Sequence, residues 1–406
     1  MSVAMNILIA DKFSQAHLAD LSALGLGVDY KPDLGAADLP GALAGVAILV
    51  VRSTEVTAAA IAAADALTLI VRAGAGVNTI DRAAASRRGI FVANCPGKNA
   101  VAVAEIAMGL LLAVDRRIPE QVAEVRAGKW NKKEYGKADG LLGKTMGLVG
   151  FGAIARLVGE RARAFGMPVV AWSRSLDEAA ARRHGVDRVD APVDVARRAD
   201  VVSVHVALTP DTRGLCGAAF FAAMKPGAIF LNTARAEVVD VAALEAAVRD
   251  RGIRVGTDVP PGEPGGGTGA IAAPLLALPG VYATHHVGAS TRQAENAIAD
   301  EAVRIVAAFV QRGEVPNCVN LSQQSPARWQ LVVRHHDRVG VLAHVLDSLR
   351  RHAINVEEME NQIFDGAVAA CASIRLSAEP PAECMADIRG KGDILHAALI
   401  PLPPHM

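Results

Sequence analysis

Cysteine is sparse and unpatterned. The five residues Cys95, Cys216, Cys318, Cys371 and Cys384 are odd in number and form no CxxC pair. That spacing argues against a disulfide scaffold or a zinc site and for a reducing compartment; no metal is expected. Net charge is missing too, because 42 Lys and Arg balance 42 Asp and Glu. Binders of nucleic acid or of anionic membrane need a clustered positive excess, so neither partner is expected. No window of about 18 residues is apolar throughout; the best candidates are broken by Asp65 and Glu105. Met1 to Asp11 lacks the basic stretch, apolar core and small-residue cleavage site of a secretory leader. A soluble, cytoplasmic protein is the expectation. Aromatics make up only 4% of the chain, yet 51% is hydrophobic, largely through alanine. Several cores can therefore be buried, and long disordered stretches are not expected. At about 150 residues per domain, the chain makes two to three domains.

Short apolar runs alternate with helical patterns. Asn6–Ala10, Val46–Val51 and Leu69–Val71 read as buried strands, and Gln15–Leu24 as a helix. A second series runs through Met146–Val149, Val169–Trp172, Val201–Val204, Ala228–Leu231, Arg254–Gly256 and Val281–Thr284. Repeated βα alternation of this kind predicts an α/β fold with two doubly wound parallel sheets. Ala100 to Ile118 reads as one long helix between the two series, and Arg292–Arg312 as a helix returning to the first domain. The first domain is then discontinuous, residues 1–99 with 288–321, and the second spans residues 100–287.

The remainder has a different grammar. Trp329–His335 reads as a strand, and Arg338–His352 as an amphipathic helix with Val339, Leu342, Val345, Leu346 and Leu349 inward. Strands follow at Ile354–Phe364 and Ala367–Leu376, then a short helix starting near Pro380-Pro381, with proline suited to its first turn, and a last strand at Ile394–Leu402. This βαββαβ order over residues 328–402 resembles the ferredoxin-like ACT regulatory domain. The segment Ser322–Pro326 reads as the linker.

Gly150-Phe151-Gly152-Ala153-Ile154-Ala155 follows a strand and opens a helix. The tight turn needs Gly150, close approach of a pyrophosphate needs Gly152, and the helix N-terminus supplies free N–H groups and positive dipole. In that context GxGxxA predicts a dinucleotide site. An NAD-specific site would place an acid near Ser173 for the ribose 2′-hydroxyl. Ser173-Arg174 stands there instead, which accommodates a 2′-phosphate, so NAD and NADP both remain open as cofactors.

Three further segments end strands at the edge where open α/β sheets bind ligands: Asn232–Arg235, Asp258–Pro264 and His285–Gly288. Together with Arg72–Asn78, Asn94–Asn99, Ala104-Glu105, Gly128–Lys132 and the glycine turn, they make the chain similar to the D-isomer-specific 2-hydroxyacid dehydrogenases. The similarity covers nearly the whole chain, and within the family it is greatest to the D-3-phosphoglycerate dehydrogenases. It implies NAD(P)-dependent oxidation of 3-phosphoglycerate to 3-phosphohydroxypyruvate, the opening step of serine synthesis, by a homodimer or homotetramer. It also implies roles. Arg235 binds the substrate carboxylate and carbonyl, His286 is the acid/base, and Glu263 is its carboxylate partner. Asp258 holds the nicotinamide amide, and the backbone of Ala73 and Gly74 receives the substrate carboxylate. Asn99 lies in the substrate loop, and Arg52, Arg72 and Lys132 form a phosphate site. Cofactor contacts fall on Gly150, Gly152, Ala153, Ile154, Ser173, Arg174, Thr233, Asp258, His286 and Gly288.

The sequence departs from the family at His285 and Ala207, where proline is usual, and at Pro260, where an aromatic is usual. The Gly- and Pro-rich run Pro260–Gly269 is a second departure. Two rival readings are an NADPH-linked hydroxypyruvate or glyoxylate reductase, favoured by Ser173-Arg174, and a dinucleotide-sensing binding protein on the same scaffold. In the ACT-like part, His335, Asp337 and Asn355 are the candidate contacts for an L-serine effector, with Asp337 replacing the more usual asparagine.

Overall fold

Parallel strands buried on both faces need short, continuous apolar runs, and the chain supplies two sets. The computed structural model describes residues 5–264, 268–322 and 325–403. The first sheet holds β1 (Asn6–Ile9), β2 (Gly27–Tyr30), β3 (Ile48–Val51), β4 (Leu69–Arg72) and β5 (Phe91–Asn94), in the order β2-β1-β3-β4-β5 with every pairing parallel. The second holds β6 (Met146–Val149), β7 (Val169–Trp172), β8 (Asp187–Arg188), β9 (Val201–Val204), β10 (Ile229–Asn232), β11 (Arg254–Thr257) and β12 (Val281–Ala283). Its order is β12-β11-β10-β9-β6-β7-β8, again all parallel. Each order reverses once, at β1/β3 and at β6/β9. Beyond the carboxyl ends of the strands at such a reversal a crevice opens.

The helix Ala100–Arg116 covers the second sheet, packing Ala104, Ala107, Leu110, Leu111 and Val114 against Leu148, Ile229 and Leu231. The sequence reading carried it to Ile118. It stops earlier, at Arg117, whose φ of 52° is left-handed, and a new helix, Ile118–Arg126, begins there. Pro119 explains the break: it has no N–H to donate to the Asp115 carbonyl, its ring would clash with that carbonyl, and it suits a first turn. The helix Arg292–Arg312 has the bounds the sequence gives. Thr291 caps it by accepting from the Ala294 amide, and Gly313 ends it at φ 69°. It packs Ile298, Ala302, Ile305 and Val306 against Ile7, Ile9, Ile48 and Val50, so the chain returns to the first sheet after completing the second. Burying each such aliphatic side chain contributes about 1.5–3 kcal/mol.

The chain divides into two compact units after Asn320. The second unit has β13 (Trp329–His336), β14 (Val356–Ile363), β15 (Ala369–Leu376) and β16 (Ile394–Pro401), antiparallel in the order β14-β15-β13-β16. Leu331, Val333, Ala372, Ile374 and Leu376 face the helices Val341–Arg351 and Ala382–Gly390. Val339, expected inward, is fully exposed. Gly340, at φ 84°, is the N-cap, so the helical phase starts at Val341, which is buried. Gln323 and Gln324 of the expected linker lie outside the described residues. Among the described residues no helix is long and apolar enough to cross a membrane.

Candidate active site

The turn after β6 is shaped for close approach. Gly150 has φ 93°, and a Cβ there would lie 2.5 Å from the His205 carbonyl oxygen, so only glycine fits. A Cβ on Gly152 would meet nothing within 4 Å, which leaves the space before the turn open. The helix Ala153–Ala164 starts there with no side chain capping it, and the amides of Ala153 and Ile154 are among its free donors. Ala155, the third fingerprint position, is fully buried. Across the reversal, His205 and Thr233 are neighbours, because Val204 pairs with Asn232. His205 Nε2 lies 2.9 Å from Ser203 Oγ. Its Nδ1 and the Thr233 hydroxyl are buried and, among the described residues, unpartnered. Burial pushes the His205 ring down to about 3, so it stays neutral. Free helix amides beside orphaned polar atoms fit a phosphate-bearing dinucleotide along this edge. Ser173 and Arg174 follow β7, with Arg174 Nη1 3.6 Å from Asp211.

The other crevice gathers arginines. Arg72 ends β4, Arg52 follows β3, and Arg235 follows β10. Burial first, then the like charges of Arg235 and Arg52, lower Arg72 to about 10, which still leaves it charged at neutral pH. Its Nε is buried without a partner among the described residues. Arg235 donates to Ala234 O at 2.6 Å and to Asn78 Oδ1 at 3.5 Å. Glycines make room for these groups. A Cβ on Gly74 would lie 1.4 Å from Arg72 Nη1, and one on Gly76 would lie 2.4 Å from Arg235 Nη2. Arg52 is held by Glu295 at 2.8 Å and Ser290 at 3.4 Å. Asp11 organises its loop by accepting from the amides of Arg52, Ser53 and Thr54 at 2.6, 3.1 and 3.1 Å. Three guanidinium groups with one contacting carboxylate call for an anion.

Ala73 and Gly74 are not its backbone donors. The Ala73 amide continues the sheet ladder to Val51 O at 2.7 Å, and the Gly74 amide donates to Arg72 O at 2.8 Å. The amides left free in this loop, among the described residues, run from Ala75 to Thr79, one step further along. Asn99 caps the helix Ala100–Arg116 by position but makes no side-chain capping bond. Beside it, Lys98 binds Glu301 at 3.2 Å. Glu301 also accepts from Arg304 and Asn317, which fixes the Asn94–Asn99 loop to the return helix.

His286 Nδ1 stands 2.9 Å from both oxygens of Glu263, leaving Nε2 free. The pairing falls where the sequence places it, although Gly265–Gly267 of the adjoining run lie outside the described residues. His285 is exposed. Asp258 closes the β11 edge from inside the protein. It is 2% exposed and accepts from Thr284 Oγ1 at 2.6 Å, the Val287 amide at 3.0 Å and the Gly288 amide at 2.7 Å.

Two groupings, each expected to involve a second copy of the chain, are spread apart within one chain. Lys132, on the short helix Lys132–Tyr135, lines a separate cavity of about 190 Å³ with Gln121, Glu124, Val125 and Trp130; among the described residues nothing links it to the arginine cluster. In the second unit His335 is 1% exposed and bonded to His336 O at 2.8 Å and Asn361 Oδ1 at 3.3 Å, so it is a core residue. Asp337 follows the end of β13, whereas Asn355 precedes the start of β14. Both strands run antiparallel to β15, so the two residues sit at opposite ends of the sheet. Asp11, Asn78, Glu295 and the free loop amides are absent from the sequence-derived site. The position of Asp11 directly after β1, beside the end of β3, was the available signal.

A family profile described as "D-isomer specific 2-hydroxyacid dehydrogenase, NAD binding domain" matches residues 108–288. A D-3-phosphoglycerate dehydrogenase of Methanocaldococcus jannaschii is 35% identical over 90% of this chain and 68% of its own length. The chain spans 58% to 68% of the curated D-3-phosphoglycerate dehydrogenases it matches. A hydroxypyruvate reductase of Thermotoga maritima is 43% identical over 64% of this chain and 83% of its own. Among solved structures, an NADPH-dependent glyoxylate/hydroxypyruvate reductase of Sinorhizobium meliloti, in complex with NADP and malonate, aligns at a TM-score of 0.68 and 26% identity, covering 78% of this chain and 97% of that one. The chain belongs to the D-isomer-specific 2-hydroxyacid dehydrogenase family.

Proposed function

We propose that this protein is an NAD(P)-dependent D-3-phosphoglycerate dehydrogenase, interconverting 3-phosphoglycerate and 3-phosphohydroxypyruvate. One observation carries the reading: Arg52, Arg72 and Arg235 converge beside the free loop amides that begin at Ala75, more positive charge than a lone carboxylate calls for. Arg235 and the amides of Ala75–Val77 bind the substrate carboxylate, while Arg52 and Arg72 bind its phosphate. His286, held by Glu263, takes the hydroxyl proton at Nε2 in the oxidative direction and returns it in the reverse. The bound dinucleotide supplies a nicotinamide carbon that accepts the hydride. The amides of Gly152, Ala153 and Ile154 grip its phosphates, Thr233 and Gly288 border it, and Ser173 and Arg174 face its adenosine ribose.

In this reading residues 1–99 with 288–321 form the substrate-binding domain and residues 100–287 the Rossmann domain. Residues 328–402 form a ferredoxin-like ACT regulatory domain, in which two copies meet at an interface that takes L-serine. The exposed Val122, Val125 and Trp130 on the segment after Arg117 meet a second copy in a cytoplasmic homodimer or homotetramer. Arg174 beside Ser173, with no carboxylate at that position, favours a second reading, an NADPH-linked hydroxypyruvate or glyoxylate reductase. Initial rates with 3-phosphoglycerate, 3-phosphohydroxypyruvate, hydroxypyruvate and glyoxylate, each with both nicotinamide cofactors, decide between them. A kcat/KM higher for the phosphorylated pair is expected; preference for hydroxypyruvate with NADPH would establish the reductase.

A further inference from the structure

The arginine that opens the loop after β3 has a carboxylate partner of its own. Arg52 Nη1 donates to Glu295 Oε1 at 2.8 Å, and Nη2 to Ser290 Oγ at 3.4 Å. The Arg52 side chain is 24% exposed and that of Glu295 44%, so the pair is only partly solvated. Among the described residues Arg52 is in an ion pair, whereas Arg72 and Arg235 are not. Neither member of the pair depends on the other for its place. Asp11 ties the Arg52 backbone by accepting from the amides of Arg52, Ser53 and Thr54. Glu295 stands in the first turn of the helix Arg292–Arg312, and its amide donates to Thr291 O at 2.8 Å. The positive end of a helix dipole favours a carboxylate there.

We infer that Glu295 is a specificity-determining residue: an internal counter-ion that competes with the substrate phosphate for Arg52 and so limits the preference for a phosphorylated acid over an unphosphorylated one. The inference rests on Arg52 binding that phosphate. A phosphate on the Arg52 fork comes within about 6 Å of the Glu295 carboxylate, and at that separation a fixed negative charge weakens binding of a dianion about 10-fold even in the dielectric of water. The substrate carboxylate carries a single charge and lies with Arg235 and the loop amides, so an unphosphorylated acid feels Glu295 far less. Losing the carboxylate costs Arg52 little in placement, because Ser290 and the loop tied to Asp11 remain. A half-exposed ion pair is itself worth little, so the repulsion outweighs the support. Specificity is a difference of affinities, and a repulsive group sets it as much as an attractive one.

The test uses the full-length protein. At an ionic strength of about 10 mM, Glu295→Gln should lower the KM for 3-phosphohydroxypyruvate about 7-fold and move the KM for hydroxypyruvate by less than about twofold. The inhibition constant of inorganic phosphate should fall alongside the first of these. Raising the ionic strength to about 150 mM should shrink the gain to about threefold, because the Debye length drops from about 30 Å to about 8 Å; a change in packing would not follow salt. Glu295→Asp keeps the charge and should stay within about twofold of the wild type for both substrates. A KM for 3-phosphohydroxypyruvate that rises in Glu295→Gln would overturn the inference by making Glu295 a support for Arg52. Equal changes for the two substrates, no change for either, or a gain indifferent to salt would overturn it as well. Arg52→Ala checks the underlying reading separately: an unchanged KM for 3-phosphohydroxypyruvate there removes Arg52 from the phosphate site, whatever Glu295 does.

Discussion

The first sheet and the second each reverse strand order once, and they furnish the two reversals in opposite ways. At β1/β3 the chain brings its own anion. Asp11 takes the amides of Arg52, Ser53 and Thr54, and positive charge is left to the guanidinium groups of Arg52, Arg72 and Arg235. At β6/β9 the amides after Gly152 stay free, and the nearest ring, His205, is kept neutral by burial. One crevice offers charged side chains together with loop amides, and the other offers backbone dipoles alone. A small acid must be fixed in register with the reacting groups, which forked, charge-assisted bonds achieve. A long dinucleotide is gripped along its length by peptide groups, with glycine admitting it. Perturbing one crevice should therefore move substrate terms, and perturbing the other should move cofactor terms.

The most severe way to break this division is Arg235→Ala, which should reduce kcat/KM about 1,000-fold while leaving the NADH dissociation constant within about twofold. Comparable losses in both would show that the crevices do not work separately. Acid should loosen the arginine side through Glu301. Its bond with Arg304, followed by those with Lys98 and Asn317, holds its pKa at about 2 against an ordinary 4.5. A carboxyl whose folded pKa is depressed stabilises the fold above about 4.5 and loses that contribution as pH falls toward 2. The amount is at most about 3 kcal/mol. Denaturant unfolding of Glu301→Gln should show a flatter stability curve between those pH values; an identical slope in both proteins would remove Glu301 from the account. A smaller effect belongs to the other crevice. Ser173→Asp should raise the NAD-to-NADP ratio of kcat/KM about 10-fold, because a carboxylate accepts from the 2′-hydroxyl and repels a 2′-phosphate. No change would place Ser173 away from the ribose.

Much of this was legible in the sequence because burial on both faces writes itself as unbroken apolar runs, as in β3 and β7. The edge strand β2 escaped, since Gly27–Tyr30 alternates between exposed and half-buried positions and shows no such run. The helix at Val341 was read three residues early because Val339 fits its period, and only Gly340 in the left-handed region sets the phase. Within the site, Gly150, Gly152, Arg235, Glu263 and His286 carry their chemistry in residue type and spacing. Backbone donors do not. Whether Ala73 or Ala75 offers a free N–H depends on the β3/β4 ladder reaching as far as Val51 O, a matter of register. Asp258 reads as a ligand contact, and the structure adds three partners within the protein; Asp337 and Asn355 read as one cluster, whereas β13 and β14 run in the same direction and set them at opposite ends of the sheet within one chain.

The central claim is that the arginine crevice holds a phosphate as well as a carboxylate. Measuring KM of the wild type and of Arg52→Ala for 3-phosphohydroxypyruvate and for hydroxypyruvate tests it most directly. The account predicts a KM rise of about 10-fold or more for the phosphorylated substrate and less than about twofold for hydroxypyruvate, whereas equal changes for the two would contradict it.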